Sequence, residues 1–274
     1  MKTPSPYVQA YRSRYLASLS LAEIAALSDK AWAPVILVTG AIEQHGPHLP
    51  VAVDAFIGEA LVTLALERLP PDASCYIAPP ITIGKSNEHS GFPGTLSVSR
   101  RTLRALVLCV ARQVADWGFR SLYILNTHGG NMAVNAYTLR EAEARFGLKA
   151  EPLRTDPPAG AGVPVLPPQE QNYGFHANTA ETAWMLALLE RHVRAELAVR
   201  DYVGGVDDPG ELRPERTVAT YSWVSQDLSK TGIMGDAPAG TKEMGERWLP
   251  AVGQAYADAI ARVCREARAA AKAQ

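Results

Sequence analysis

Residues 33–39, with the sequence APVILVT, form a short apolar run that is rich in β-branched side chains and is ended by Gly40. A run of this length and composition predicts a strand that is buried on both faces. Further short apolar runs lie at 75–78, 81–83 and 120–125, and helical patterns follow at 54–68, 101–117 and 133–146. This alternation predicts an α/β fold with a mainly parallel sheet covered by helices on both faces.

The remaining segments are predicted from their periodicity and their proline content. Helical patterns occur at 7–30, 178–199 and 251–270, whereas the proline-rich segment 151–172 and the segment 200–230 indicate irregular structure. A chain of 274 residues is long enough for one large α/β domain, and a second full domain would be cramped. We therefore expect residues 1–274 to form a single domain.

Composition excludes several classes of partner. The formal net charge of −1 provides no general attraction for nucleic acid or for anionic membranes. No run of about eighteen apolar residues occurs, and the N-terminal segment lacks the apolar stretch of a secretory signal. Cys75, Cys109 and Cys264 form no CxxC pair and are expected to be buried, reduced thiols. These features predict a soluble, cytoplasmic protein.

The first candidate site lies directly after the 33–39 strand, in the segment GAIEQHGPHLPVAVDAF at 40–56. If the backbone stays extended there, Glu43 and His45 project to the same side, as two ligands of a metal centre would. Asp54 can return to them from the start of the next helix. An acidic residue at that place is also typical of a helix N-terminus, so the sequence leaves both interpretations of Asp54 open.

Two later loops contain further candidates. His128 follows the 120–125 strand and precedes two glycines, where sheet topology should bring it close to the first segment. His176 precedes the 178–199 helix, and Glu181 lies in the first turn of that helix. An imidazole at His176 is suited to proton transfer during hydrolysis. Glu181 is either a ligand or an acidic residue favoured by the helix dipole.

Five of these side chains supply three carboxylates and two imidazoles: Glu43, His45, Asp54, His128 and Glu181. Such a mixture of oxygen and nitrogen ligands suits zinc, manganese or iron. Two ions about 3.5 to 4 Å apart can share one carboxylate and lower the pKa of a water between them from about 15.7 towards about 7. The sequence therefore predicts two divalent ions per subunit.

Five segments, in this order, resemble the creatininase (creatinine amidohydrolase) family: EQHGPHLPVAVD at 43–54, EHSGFPGTLS at 88–97, NTHGGN at 126–131, HANTAET at 176–182 and GIMGDAPAGTKEMGE at 232–246. The series is specific, although each motif alone is weak. The resemblance covers about residues 32–260. It implies a three-layer α/β/α sandwich with a mainly parallel sheet, and homo-oligomers that are often hexamers.

The resemblance also implies roles for individual residues. Glu43 and His45 resemble ligands of different ions, Asp54 resembles the carboxylate that bridges the ions, and His128 resembles the residue that completes the shell of the first ion. His176 resembles the proton-transferring histidine of the family, and Glu181 matches an acidic position that binds or orients the site. His48 and His89 are expected to support the ligands, His192 to lie on a solvated face, and Lys85, Asn87 and Glu88 to line the pocket.

The sequence departs from creatininase proper at two places. Gly130 stands where creatininase proper has a glutamate ligand, which makes Glu181 the expected replacement. Segment 151–173 lacks the tryptophans that close over creatinine, and we expect the chain's own tryptophans to be core or interface residues: Trp32, Trp117, Trp184, Trp223 and Trp248. Members with HGGN hydrolyse formamides or peptides, so the resemblance implies C–N bond hydrolysis without fixing the substrate.

These observations predict an amidohydrolase in which activated water attacks an amide, cyclic amide or formamide of a small molecule and His176 delivers a proton to the leaving nitrogen. Motifs for other hydrolytic or nucleotide-binding chemistry, such as GxSxG, HExxH or a P-loop, are missing from the sequence. One alternative is hydrolysis of a sugar-derived lactone or ketose, or of a short peptide, by the same ions. A second is a non-catalytic, metal-stabilised subunit of an oligomer.

Overall fold

The computed structural model describes residues 13–155, 166–204, 212 and 222–273. The strands in these residues are β1 Val35–Thr39, β2 Tyr76–Ile77, β3 Ser121–Asn126, β4 Lys149–Pro152, β5 Arg200–Asp201 and β6 Gly235–Asp236. The α-helices are α1 Leu21–Ala26, α2 Val53–Arg68, α3 Arg100–Asp116, α4 Met132–Phe146, α5 Pro168–Tyr173, α6 Thr179–Leu189, α7 Ser225–Leu228 and α8 Lys242–Lys272.

The main sheet has the strand order β2-β1-β3-β4, and all of its neighbouring strands are parallel. In the centre, Val35 of β1 is paired with Leu122 of β3, and Thr39 is paired with Asn126. Strands β5 and β6 form a separate antiparallel pair. The prediction of a mainly parallel sheet is confirmed.

Side chains that alternate along β1 account for the two helical layers. Val35 and Leu37 pack in a core cluster with residues of α3 and α4, whereas Ile36 and Val38 pack in another with residues of α2 and α8. Every residue of β1 is buried, as its uninterrupted apolar sequence predicts for a central parallel strand. The predicted three-layer α/β/α sandwich is therefore confirmed.

Of the N-terminal helix predicted at 7–30, the structure describes residues 13–30 and confirms only Leu21–Ala26 as α-helix. A single 3₁₀ turn occupies Leu16–Ser18, and α1 begins only at Leu21 because Ser20 and Glu23 form a reciprocal capping box before it. Leu19 and Leu27 pack against the core from outside the helix. Their spacing along the sequence matches a helical period, although neither residue lies in a helix.

Several other boundaries differ from the sequence pattern. Helix α6 ends at Leu189 rather than 199, and 3₁₀ turns follow at Glu190–His192 and Ala195–Leu197. Helix α8 begins at Lys242 rather than 251, since Thr241 accepts a hydrogen bond from Met244 N–H and the helix continues through Pro250. Segment 81–83 makes only an isolated bridge between Ile81 and Thr39 instead of a strand.

The segments predicted to be irregular contain short regular elements. Strand β4 overlaps the start of 151–172 and pairs with β3 at the edge of the sheet, where Pro152 removes no bond between central strands. Helix α5 lies in the same segment, and β5 and α7 lie within 200–230. The parts of these two predictions at 156–165, 205–211 and 213–221 lie outside the described residues.

Two of the cysteine predictions are confirmed and one is wrong. Cys75 and Cys264 are buried free thiols, whereas Cys109 lies on the exposed side of α3. Across the described parts of the chain, no helix is both long and apolar enough to span a membrane.

Candidate metal centre

The loops that follow β1 and β3 leave the sheet side by side. The hydroxyl of Thr39 donates to the side-chain carbonyl of Asn126 at 2.9 Å, which links the last residues of the two strands. The loop after β1 contains Glu43 and His45, and it closes on itself through a hydrogen bond from Glu43 N–H to Val51 O of 2.8 Å. The loop after β3 contains His128. The topology therefore brings both predicted clusters to the carboxyl edge of the sheet.

A first group of ligand-type atoms consists of Glu43, Asp54 and His128, all buried. The Nδ1 atom of His128 lies 3.3 Å from Oε2 of Glu43 and 3.3 Å from Oδ2 of Asp54. Its other ring nitrogen, Nε2, lies 2.9 Å from the carbonyl oxygen of Lys85 and donates to it, because a carbonyl can only accept. That hydrogen bond leaves the Nδ1 lone pair directed at the two carboxylates, as metal binding requires.

A second group consists of His45, Asp54 and Glu181. The Nε2 atom of His45 lies 3.5 Å from Oδ1 of Asp54 and 3.9 Å from Oε1 of Glu181. The two oxygens of Asp54 thus face different groups, Oδ1 towards His45 and Oδ2 towards His128. Asp54 lies in the first turn of α2, but its side chain does not cap that helix. All five predicted ligands therefore converge, although they come from three distant parts of the chain.

The contacts between these groups fit cations better than hydrogen bonds. Separations of 3.3 to 3.9 Å are longer than usual hydrogen bonds, but they suit two atoms that each lie about 2 Å from a common ion. Within the described residues, the buried atoms His45 Nε2, Asp54 Oδ2 and Glu181 Oε2 make no hydrogen bond. Buried polar atoms normally have partners, so these three atoms fit a role as ligands of a cation.

The electrostatics of the two groups lead to the same interpretation. Burial alone would lower the pKa of His45, but the carboxylates of Asp54 and Glu181 raise it to about 10. Burial raises the pKa of Glu181 to about 7. Protonated imidazoles thus balance the carboxylates when no cation does so. Divalent ions would displace these protons, because metal ligands bind in their deprotonated forms.

His176 lies next to both groups without belonging to the predicted ligand set. Its ring is 4.3 Å from that of His45 and 4.2 Å from that of His89, measured between centroids. Its Nδ1 atom lies 3.7 Å from Oε1 of Glu43. The next residue, Ala177, has a left-handed backbone with a φ of 50°, which is strained for a residue other than glycine. Such strain is concentrated at functional sites.

The supporting histidines have different surroundings. His89 Nε2 lies 3.6 Å from Oε1 of Glu43, so His89 faces a candidate ligand directly. His48 is buried, and its Nε2 atom lies 2.9 Å from the hydroxyl of Thr182, the residue after Glu181. His192 is exposed as predicted, but on a 3₁₀ turn rather than a helix.

A cavity of about 660 Å³ opens over the two groups. Lys85, Asn87 and Glu88 line it, as the sequence predicts, and Phe175 and Trp223 form an apolar wall. The rings of this aromatic pair meet edge to face, with 5.9 Å between centroids. Trp223 also packs against a small buried apolar cluster, as predicted for a core residue. Its place in the cavity wall was not predicted, because no sequence pattern indicates it.

Gly130 is packed too closely to carry a side chain. A Cβ atom there would lie 2.3 Å from Lys85 O, 2.4 Å from Glu88 Oε1 and 2.5 Å from His128 Nε2. The space that a glutamate at this position would need is occupied by Glu88. The carboxylate of Glu181 lies elsewhere in the centre, with Oε1 3.9 Å from Nε2 of His45.

We predict that Gly130→Ala lowers stability by about 1–3 kcal/mol, the usual cost of overpacking, and weakens binding of metal ions by displacing His128. Chemical denaturation and metal titration would measure the two effects. Gly129→Ala is a matched control, because a Cβ there meets no atom within 4 Å. Equal behaviour of the two variants would contradict the tight packing at Gly130.

The parallel α/β sheet and the buried group of carboxylates and imidazoles at its carboxyl edge define the class of protein as a metal-dependent hydrolase. A family model described as creatinine amidohydrolase matches residues 17–260. The chain therefore belongs to the creatininase family, and the resemblance seen in the sequence is confirmed.

Individual relatives differ in what their names say they hydrolyse. The chain is 32% identical over 234 residues to a mycofactocin precursor peptide peptidase of Mycolicibacterium smegmatis, covering 84% of this chain and 85% of that one. It is 29% identical over 251 residues to creatinine amidohydrolase of Pseudomonas putida, covering 82% and 88%. A solved structure named creatininase Mn shares the fold, with a TM-score of 0.69, 24% identity and coverage of 90% of this chain and 97% of that one.

Proposed function

We propose that this chain hydrolyses an amide-type C–N bond at a centre of two divalent ions. Glu43 and His128 would hold one ion. His45 and Glu181 would hold the other, and Asp54 would be a ligand of both. The observation that carries the proposal is the position of Asp54, whose two oxygens face two separate groups of ligand atoms. A single structural ion would need only one such group.

When bound, the ions would polarise the carbonyl group of the substrate and lower the pKa of a water molecule towards about 7. The chain's own residues then have to place and move protons. The carboxylate of Glu43 is well suited to link these tasks, because Oε2 contacts the candidate ligand His128 while Oε1 faces His89 and His176. The hydroxyl of Ser86 donates a hydrogen bond to Oε2 and orients the carboxylate.

His176 is placed to move a proton. Its Nε2 atom lies 2.7 Å from the main-chain oxygen of Gln44 and must donate to it, so the neutral ring keeps its lone pair on Nδ1. Burial holds the pKa of His176 well below its usual value, and in the metal-free protein the positive charge of His45 adds to this effect. The imidazole is therefore a proton acceptor in its resting state. In the proposed reaction it takes a proton from the attacking water and returns it to the leaving nitrogen.

The cavity indicates an amide substrate with an apolar part. Its volume of about 660 Å³ is typical of pockets for drug-sized molecules, and Phe175 and Trp223 offer a wall for an apolar or aromatic group. A small-molecule amide, cyclic amide or formamide is the first candidate. A short peptide is the second candidate, favoured by the cavity volume and by the similarity to the mycofactocin precursor peptide peptidase.

We expect the purified chain, stripped of metal and reloaded with zinc, manganese or iron, to form a free amino group from at least one formamide, lactam or short peptide, which for the lactam remains in the ring-opened product. Chromatographic detection of the amine would measure turnover, and a sugar-derived lactone would serve as the comparison. Loss of activity with a chelator, and its return with added ions, would support the centre. Hydrolysis of the lactone alone would contradict C–N bond cleavage, and unchanged turnover without metal would contradict the centre.

A further inference from the structure

Gln44 lies between two candidate metal ligands, Glu43 and His45, yet its side chain turns towards two other histidines. It is 5% exposed, and its Nε2 atom lies 2.8 Å from Nδ1 of His89 and 3.1 Å from Nε2 of His176. Its own main-chain oxygen lies 2.7 Å from the same nitrogen of His176. One residue therefore contacts both of the imidazoles that face Oε1 of Glu43.

Two backbone groups with fixed roles determine the orientation of the Gln44 amide. The N–H of Gly46 can only donate, and it lies 2.9 Å from Oε1. The carbonyl of Gly232 can only accept, and it lies 3.2 Å from Nε2. The oxygen and nitrogen of the side chain are thus assigned without reference to either histidine.

The hydrogens of this amide determine the tautomer of His89. An amide nitrogen has two hydrogens, and one of them goes to the carbonyl of Gly232. The other points at Nδ1 of His89, which must accept with its lone pair, so the proton of the neutral ring is on Nε2. The hydroxyl of Ser225, 2.7 Å from Nδ1, donates to the same lone pair. His89 consequently directs an N–H at Oε1 of Glu43, 3.6 Å away.

The main-chain oxygen of Gln44 determines the tautomer of His176. A carbonyl cannot donate, so His176 carries its proton on Nε2 and its lone pair on Nδ1. The 3.1 Å contact between the side-chain amide and Nε2 of His176 is not a hydrogen bond, because both amide hydrogens are used elsewhere. His176 therefore directs a lone pair at Oε1 of Glu43, 3.7 Å away.

We propose that Gln44 is a positioning residue that makes two stacked imidazoles present opposite groups to Glu43, an N–H from His89 and a lone pair from His176. The N–H orients the carboxylate, and the lone pair is free to accept a proton. The catalytic consequence rests on the proposed function, whereas the tautomers themselves do not.

The substitution Gln44→Glu tests this arrangement with little change of volume. The oxygen that accepts from Gly46 stays, but the amide donor becomes a second acceptor that faces Nδ1 of His89. We expect the proton of His89 to move to Nδ1, while His176 keeps its proton on Nε2 because the main chain is unchanged. Two-bond ¹⁵N–¹H spectra of ¹⁵N-histidine protein, recorded metal-free and zinc-loaded, would show both tautomers, and single histidine variants would assign the signals.

Turnover provides a second measurement. Partners behind metal ligands usually contribute about 10- to 100-fold, so we expect kcat of Gln44→Glu to fall by about that factor with KM unchanged. Gln44→Met removes the donor without adding an acceptor and leaves Ser225 on Nδ1, so its loss should be smaller. Gln113→Glu makes the same chemical change on the exposed side of α3 and should leave kcat unchanged.

Two results would overturn the proposal. One is a wild-type spectrum with the proton of His89 on Nδ1, which decides the matter even if Gln44→Glu does not fold. The other is a folded Gln44→Glu variant with an unchanged spectrum and wild-type kcat. Failure of the chain to hydrolyse any amide would count against the proposed function. It would not affect the assigned tautomers, because the spectra that test them need no substrate.

Discussion

Asp54→Asn is expected to abolish binding of both ions and to lower kcat by more than about 100-fold. Loss of a partner behind a metal ligand already costs about 10- to 100-fold, and a ligand shared by two ions should cost more. Asparagine keeps the shape of the side chain but replaces one negatively charged oxygen by an N–H₂ group. That group would be directed either at Nδ1 of His128 or at Nε2 of His45, where a ligand is needed.

Elemental analysis of the purified variant would measure ions per chain, and amine release would measure kcat. Glu181→Gln is the informative comparison, because Glu181 contacts only the group that contains His45. It should lose one ion and keep the other. Asp258→Asn, on the exposed side of α8, makes the same chemical change far from the centre and should keep both. Two ions and wild-type turnover in Asp54→Asn would refute the sharing of this carboxylate.

The sheet and the first part of the site could be predicted because they depend on local sequence. The apolar run at 33–39 is typical of a strand buried on both faces, and the i and i+2 spacing of Glu43 and His45 gives a common direction on extended backbone. His128 follows a second strand of the same kind. Parallel topology then brings the two loops together, and no detail of side-chain packing is needed for that step.

Glu181 could only be proposed as a ligand, because its approach to His45 depends on how α6 packs against α2, more than a hundred residues away in the chain. Gln44 was missed for the opposite reason. Alternation along extended backbone directs its side chain away from Glu43 and His45, which normally indicates a residue outside the site. In the structure that direction leads to His89 and His176, and no sequence pattern specifies where those rings lie.

The predicted N-terminal helix is longer than the observed one for a related reason. Leu16, Leu19 and Leu27 recur at intervals that a helix would use, but they pack against the sheet core from irregular backbone and short turns. The capping pair Ser20 and Glu23 is a stronger local signal than the apolar spacing, since it satisfies two backbone N–H groups at a defined helix start. Periodicity alone could not distinguish these interpretations.

His176→Ala is expected to lower kcat by about 10²- to 10⁴-fold, the usual contribution of a general acid–base group, while both ions remain bound. The imidazole is the proposed proton acceptor beside Glu43, and it lies outside both proposed ligand sets. The substitution also removes a ring that lies between His45 and His89, so some stability should be lost with it. Thermal unfolding and elemental analysis would therefore accompany the kinetic measurement.

A second variant separates proton transfer from packing. In His176→Gln the side-chain N–H₂ group can still donate to the main-chain oxygen of Gln44, but no nitrogen lone pair remains to accept a proton. We expect the same fall in kcat with smaller loss of stability, and no change in His192→Ala, which alters an exposed turn. Wild-type turnover in a folded, metal-loaded His176→Gln protein would remove His176 from the reaction. Proton transfer would then have to come from another group that lines the cavity.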